Sequence, residues 1–414
     1  MKIALVNPPR QYSFYLPKQY HLGGIGYIDA ALRNKHDVEV IDLMYDPNPD
    51  LSPLETCDAV GITAYIDCYN FFKNFLPTLK GKKIIAGGPL ISSYGRENNL
   101  LMRTFPEIDF GVTGEGEITI TKLIEAIEKN KPLPKGVLYR EGSEIKTTGR
   151  EEIPKTLDSL SELNYSNWQT FSKKAKDRLI SLGLTRGCYN QCSFCYKLMP
   201  GLRGFSLERT GHEIKKIAKL KPSIIHLSDE EFLYDKERAI RISEQIKKTG
   251  IPFDIQTRID DADYKTIKTL VDNGCIRIRF GIESFSEEVL RKCNKNITKK
   301  QIYKGIEETK KAGLRPFSFL ILGLPGETRQ SIEETIRGVK ETGINTRPRL
   351  LMPLPGTQIY REVVQKGLIN EEDLLKNYGT HYDTTFGNFV PINLTEIPDQ
   401  ELIEARDKLI EMGK

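Results

Sequence analysis

The chain is predicted to be an α/β protein: an N-terminal doubly wound parallel sheet, then a partial (β/α)6 barrel, then a short, mostly helical tail. Three observations carry that prediction. Short, nearly continuous apolar runs recur along most of the 414 residues, as strands buried on both faces require. Gly- or Pro-bearing loops and helix-period segments separate these runs, which is the βαβ signature. Between about residues 130 and 177 a hairpin and a Pro- and Ser-bearing stretch interrupt the pattern, dividing the chain into cores of ordinary domain size.

The runs of the first unit are KIALV (Lys2 to Val6), VEVIDL (Val38 to Leu43), AVGITAY (Ala59 to Tyr65), KIIAGG (Lys83 to Gly88) and IDFGVTG (Ile108 to Gly114). Five strands alternating with helices predict a flavodoxin-like sheet, on which ligands sit beyond the carboxyl ends of the strands. The residues standing there are Asn7-Pro8-Pro9, Thr63, Tyr65-Ile66-Asp67, Gly87-Gly88-Pro89 and Gly114-Glu115-Gly116-Glu117. The helix after the first strand opens with Gly23-Gly24-Ile25-Gly26, where missing side chains let a bulky ligand approach the backbone. It comes too far after that strand to be a GxGxxG phosphate loop. From these residues alone, plain strand-to-helix turns and a nucleotide or flavin site both remain open, because this sheet hosts many ligands.

The sequence VLYREGSEIKTT reads as a hairpin, and the segment through Leu157-Asp158-Ser159-Leu160 reads as a linker. The expected division is 1–135 for the first domain, 136–177 for hairpin and linker, 178–360 for the barrel and 361–414 for the tail. The barrel strands are LISLGLTRG from Leu179, SIIHLSD (Ser223 to Asp229), FDIQTR (Phe253 to Arg258), CIRIRFGIES (Cys275 to Ser284), PFSFLILGLPG (Pro316 to Gly326) and RLLMPLPG (Arg349 to Gly356). Amphipathic helices such as Leu207 to Leu220 and Lys236 to Lys248 fill the gaps. Six strands are too few to close an eight-stranded barrel. The tail offers helices at Glu371 to Lys376 and Asp399 to Met412, with Tyr378, His381, Tyr382 and Phe386 grouped as either a packing cluster or a substrate cover.

Composition narrows the function. Lys and Arg number 61 against 56 Asp and Glu, a formal charge of +5, and no long single-sign block supports nucleic-acid binding. MKIALVNPP is too short for a signal peptide, and no run approaches membrane-spanning length, so a cytoplasmic protein is expected. Three of the seven cysteines fall within eight positions while Cys57, Cys68, Cys275 and Cys293 are scattered, which is not a disulfide framework. The scattered four read as small buried residues.

The clustered three are Cys188, Cys192 and Cys195, in T-R-G-C-Y-N-Q-C-S-F-C-Y directly after a predicted strand. A structural zinc site wants a fourth protein ligand, and the nearest downstream histidines are His212 and His226. In a four-iron cluster the missing ligand is useful, because the open iron can chelate a substrate or cofactor. With this motif the chain resembles the radical S-adenosylmethionine (SAM) superfamily across its whole second domain. The resemblance implies a [4Fe-4S] cluster on the three cysteines whose open iron binds SAM, with an electron from the cluster cleaving it to a 5′-deoxyadenosyl radical. It further implies SAM contacts from Tyr196, from Asp229, Glu230 or Glu231, from Gln256 and Arg258, from Glu283 and Ser284, and from the turns at Leu322 and Pro355. An acidic strand end suits the methionine ammonium, and a guanidinium suits its carboxylate. The family's Gly-Gly-Glu is absent here, so which carboxylate acts stays open.

A doubly wound sheet ahead of such a barrel resembles the cobalamin-binding subclass, on Asn7-Pro8-Pro9, Leu22 to Tyr27, Val60 to Thr63, Gly87-Gly88-Pro89 and Thr113 to Glu117. The cobalamin contacts it implies are Asn7, Pro8, Gly23, Gly24, Thr63, Tyr65, Ile66, Asp67, Gly87, Gly88, Pro89, Gly114, Glu115, Gly116 and Glu117. No Asp-x-His-x-x-Gly is present, so Tyr65 to Asp67 are candidates to line the lower cobalt face. Methylthiotransferases also carry a leading domain, but theirs brings three cluster cysteines where this one has only Cys57 and Cys68. The implied activity is methylation of an unactivated carbon: the radical removes hydrogen, methylcobalamin supplies methyl, and a further SAM remethylates the corrin. A cyclase or rearrangement enzyme with the same cofactors is the alternative, and a metal-loaded sensor without turnover is a third reading. A low-potential donor such as ferredoxin or flavodoxin is implied. Small molecules, lipids and peptide side chains all remain open as substrate.

Overall fold

The computed structural model describes residues 1–9, 19–20, 22–46, 48–95, 99–176, 178–197, 201–381 and 389–413. They form two compact units, 1–176 with 196–199 and 363–382, and 177–195 with 200–362 and 383–414. Among the described residues no helix is long and apolar enough to cross a membrane.

In the first unit β1 (Lys2–Asn7), β2 (Asp37–Asp42), β3 (Ala59–Thr63), β4 (Lys83–Gly87) and β5 (Phe110–Val112) run parallel in the order 2-1-3-4-5. That order reverses direction at β1 and β3, which opens the crevice where doubly wound sheets hold ligands. The strands are apolar on both faces because helices cover both: the consecutive residues Ile3, Ala4, Leu5 and Val6 are all buried, as are Ala59 with Val60 and Ile84 with Ile85. Phe72 is fully buried against Phe105, ring centroids 5.6 Å apart, so Phe72→Ala should cost about 3–5 kcal/mol. The hairpin strand β6 (Val137–Glu141) pairs antiparallel with β5, and β7 (Glu144–Thr147) pairs antiparallel with β6. The hairpin therefore extends the first sheet, and its compact unit runs on through the stretch read as linker to Lys176.

The tail divides between the units. Its helix Glu371–His381 puts Leu375 into the first unit's core, and Tyr378 is fully buried. Tyr382, Phe386 and the side chain of His381 lie outside what is described. The helix Asp399–Met412 packs on the second unit, where Thr346 Oγ1 donates to Leu409 O at 3.3 Å.

In the second unit β8 (Leu179–Leu182), β9 (Ile224–Leu227), β10 (Phe253–Thr257), β11 (Cys275–Glu283), β12 (Phe317–Leu322) and β13 (Asn345–Leu350) pair parallel in sequence order. Helices between them start where the sequence supplies caps: Thr298 and Thr328 each close a capping box, which satisfies amide donors a helix start leaves open. The sixth strand departs from its expected position, lying at Asn345–Leu350 instead of Arg349 to Gly356. Pro348 sits inside it, and β13 ends the strand order, where a residue without an N–H is tolerated.

Candidate functional site

Each sheet gathers candidate residues at its carboxyl edge. In the second unit, Thr185–Arg186 pairs antiparallel with Arg203–Gly204, closing the base of the loop that carries the cysteines. Asp229, fully buried after β9, accepts from the Thr185 hydroxyl and, at 3.4 Å, from Leu184 N–H. Burial raises its carboxyl to about 6, partly offset by those bonds. Cys188 is buried, Cys192 half-buried and Cys195 exposed. Cys188 Sγ accepts from Asn190 N–H at 3.4 Å and Asn190 Nδ2 at 3.7 Å, bonds that favour a thiolate. Asn190 Nδ2 also donates to Glu231. Ser193 N–H donates to Cys293 O at 2.9 Å, and Cys195 N–H to Cys192 O at 3.1 Å.

Desolvation and then Glu230 push the Cys195 thiol up to about 12, with smaller contributions from the other two thiols. The three sulfurs are thus electrostatic neighbours, and a bound cation is what would hold them deprotonated. Among the described residues no three His, Cys, Asp or Glu side chains are grouped to hold a metal ion. A four-iron cluster asks for something else, one thiolate on each of three separate irons, and the loop's N–H···S bonds suit it.

The acidic triplet after β9 divides by role. Asp229 clamps the start of the cysteine loop, and Glu231 holds Asn190 and lies 3.9 Å from Arg258 Nε. Glu230 is the exposed member and, after burial, the largest influence on Cys195. Gln256 is half-buried at the end of β10. Arg258 makes its fork to Asp260, both contacts 3.0 Å, and donates to Lys295 O at 3.0 Å. Burial opposes its charge, but Asp260, then Cys192 and Glu231, together raise its pKa.

Glu283 ends β11 at a bulge with φ +70°, a conformation non-glycine residues seldom adopt. Its Oε1 accepts from Lys295 Nζ at 3.3 Å, both side chains only 8 % exposed. A Cβ on Gly281 would lie 2.6 Å from that Oε1 and 3.0 Å from that Nζ, so only glycine leaves room for the pair. Lys295 escaped the sequence reading because it lies twelve positions after Glu283. The available signal was its flanking Asn294 and Asn296, both left-handed here and of the type that most readily turns so.

Ser284 is buried and turned to Thr335, Oγ to Oγ1 3.2 Å, while accepting from Ser286 N–H at 3.1 Å. Leu322 is fully buried and begins a turn that Glu327 closes by accepting from Gly323 N–H. Desolvation raises Glu327 to about 8. Pro355 is buried in a turn fastened by Thr357 Oγ1 donating to Leu354 O at 2.7 Å. Deeper in the sheet, Asp254 accepts from His226 Nδ1–H, from Arg277 Nε at 2.9 Å and from Arg279 Nη2 at 2.7 Å. Burial lowers the His226 pKa, against the opposing pull of Asp254, and its Nε2 faces Arg279 Nη1 at 3.4 Å.

In the first unit the expected residues stand at the ends of β1, β3, β4 and β5 and at the start of the helix Gly23–Leu32. Asn7 Nδ2 donates to Asp42 Oδ1 at 3.0 Å, and Tyr65 Oη donates to Asn7 Oδ1 at 3.4 Å. Asp42, missed in the sequence, is the buried acid that ends β2; desolvation raises it to about 6. Pro8 is buried, and Gly23 and Gly24 are exposed with nothing within 4 Å of an added Cβ. Ile66 packs partly against the core and Asp67 is buried. Gly87 O accepts from Ala64 N–H at 2.7 Å. Gly88 has φ +97°, and its Cβ would meet Thr63 Cγ2 at 2.9 Å. Gly114 N–H donates to Ser92 Oγ at 3.0 Å, Glu115 and Glu117 are buried, and Gly116 starts the next helix. Tyr196 belongs with this unit: its hydroxyl donates to Pro89 O at 3.3 Å, and burial first, then Glu151, raises it to about 12.

A three-cysteine loop stands at the carboxyl edge of six parallel strands. Residues 182–339 match the radical SAM superfamily. Over 400 residues the chain is 29 % identical to an uncharacterized methyltransferase of Pyrococcus horikoshii, covering 89 % of this chain and 84 % of that protein. It is 25 % identical over 400 residues to the bacteriochlorophyllide d C-8(2)-methyltransferase of Chlorobaculum tepidum, covering 90 % and 82 %. Its fold is similar to that of the radical SAM methyltransferase TsrM of Kitasatospora setae, solved with cobalamin and a [4Fe-4S] cluster, with TM-score 0.73, 16 % identity and coverage of 88 % and 75 %.

Proposed function

We propose that this protein is a cobalamin-dependent radical SAM methyltransferase that methylates an unactivated carbon. The observation that carries the reading is the pairing, in one chain, of an open three-cysteine loop with a preceding sheet of 2-1-3-4-5 order and glycine-lined edge. Similarity to methyltransferases over most of both chains supports it. When bound, the cluster supplies the electron that cleaves SAM, and the corrin supplies the methyl group.

The chain's own residues position and neutralise. Cys188, Cys192 and Cys195 would hold the cluster, with Asn190 fixing Cys188. Glu230, exposed beside Cys195, would accept the methionine ammonium, while Asp229 and Glu231 shape the loop. Lys295 and Glu283 would meet the carboxylate and a hydroxyl of SAM, and Arg258, committed to Asp260, would support Lys295 through its carbonyl. Asn7, Tyr65 and the turns at Gly88 and Gly114 would line the corrin site. The electron donor is read as a ferredoxin or flavodoxin.

Product analysis tests the reading. Reconstituted protein given SAM, reductant and substrate should form both 5′-deoxyadenosine and S-adenosylhomocysteine. The first without the second would point to cyclase or rearrangement chemistry, and neither would point to a sensor.

A further inference from the structure

We propose that the hydroxyl of Ser193 donates a hydrogen bond to a sulfur of the iron–sulfur cluster on the Cys192 side of the loop, and so sets how readily the cluster takes up an electron. This gives Ser193 a part in the radical SAM chemistry read above and rests on that reading.

The turn that carries Cys192 and Cys195 is fixed from outside. Cys195 N–H donates to Cys192 O at 3.1 Å, which makes Ser193 and Phe194 the central residues of a β-turn. The outward amide and carbonyl of such a turn must be bonded elsewhere when buried. Here Ser193 N–H donates to Cys293 O at 2.9 Å, and Ser193 O accepts from Ile359 N–H at 3.1 Å. Cys293 caps the end of the helix Glu287–Lys292, and Ile359 lies in the first turn of the helix Gln358–Gln365. Two elements far along the chain thus lock the backbone of one residue. That job needs no side chain, since alanine would keep both bonds.

The hydroxyl has a separate use. Ser193 is only 4 % exposed, and among the described residues its Oγ makes no hydrogen bond of good geometry. The group beside it is the fully buried Cys293 thiol, itself close enough to Cys192 to feel its charge, and a thiol is a weak hydrogen-bonding partner. A hydroxyl taken from water without a strong partner is expensive, and a redox or catalytic role is one of the few reasons a folded protein keeps one. The donors along the loop point to its target. Cys188 Sγ receives two, from Asn190 N–H and Asn190 Nδ2. In the turn after Cys192, the amides of Ser193 and Cys195 are both spent on carbonyl oxygens, which leaves the Ser193 hydroxyl as the side-chain donor next to that sulfur. Hydrogen bonds to cluster sulfurs ease the added negative charge of the reduced state and so raise the reduction potential.

The test is a redox titration, followed by electron paramagnetic resonance, of protein reconstituted with cluster and cobalamin. Ser193→Ala removes the hydroxyl and spares both backbone bonds, and it should make cluster reduction about ten-fold less favourable or more, a potential lower by about 59 mV for one electron. Cys293→Ala, which removes the thiol and keeps the hydroxyl, should change the same equilibrium less than about two-fold. Electron–nuclear double resonance of the reduced cluster, reconstituted in heavy water, should show a deuteron coupling in wild type that Ser193→Ala lacks. Any one of four results would overturn the hydrogen bond: an unshifted potential, an unchanged deuteron spectrum, equal shifts from the two variants, or a Ser193→Ala protein that takes up no iron and so shows Ser193 to be a packing residue alone. A wild type without a cluster instead defeats the functional reading beneath.

Discussion

The two sheets use the same edge in opposite ways. At the first, glycines clear space, exposed at 23 and 24 and turning the chain at 88, and Asn7 links Asp42 to Tyr65 by hydrogen bonds. At the second, charges are committed in pairs, Glu283 to Lys295 and Arg258 to Asp260, around a cysteine loop clamped by Asp229. An edge cleared of side chains suits a bulky ligand approached by backbone. An edge of fixed charges suits a small zwitterion whose groups must be placed in advance.

The largest break in that contrast is Cys192→Ala. It should abolish 5′-deoxyadenosine formation, a fall of at least about a hundred-fold, with cobalamin affinity changed less than about two-fold; coincident loss of both would deny that the edges work separately. Next, Lys295→Ala should leave Glu283 buried without its partner, at a cost of about 3–5 kcal/mol in folding or as much in SAM binding. The double variant Glu283→Gln with Lys295→Met should recover much of that in urea unfolding, and a double as unstable as the single would show that the pair is not the cause.

A smaller effect should follow Gly88→Ala, where the added Cβ meets Thr63 and the backbone sits at φ +97°. Corrin affinity should fall about ten-fold while SAM affinity holds, and equilibrium titration with each ligand checks both. Smallest is a pH effect at Glu327, raised from 4.5 to about 8 by burial. Because the folded value lies above the unfolded one, its contribution to stability is complete below about 4.5 and is lost as pH rises through 8. Glu327→Gln should therefore gain on the order of 2 kcal/mol over wild type at pH 9 and little at pH 5. Parallel pH profiles would remove Glu327 as the buried acid.

Much of this layout was legible in the sequence, because strand runs, their spacing and the CxxxCxxC array are local signals. The five parallel strands and the six barrel strands follow from apolar runs bounded by Gly and Pro. What escaped depends on contacts distant in the chain. Lys295 meets Glu283 only through two left-handed asparagines and a glycine that clears space for it. The sixth strand, expected from Arg349, begins at Asn345, and the Pro348 inside it is tolerated because β13 is last in its order. Arg258 had the right charge for a ligand carboxylate, but a neighbouring Asp260 takes its fork. Tyr196, next to a cluster cysteine in sequence, spends its hydroxyl on Pro89.

The most direct measurement is cofactor content after anaerobic reconstitution with iron, sulfide and hydroxocobalamin. Wild type should carry about four irons together with one corrin, and Cys188→Ala should lose the iron while keeping the corrin. Protein that binds cobalamin but never develops an iron-sulfur chromophore, or that takes up zinc in the iron's place, would contradict the account.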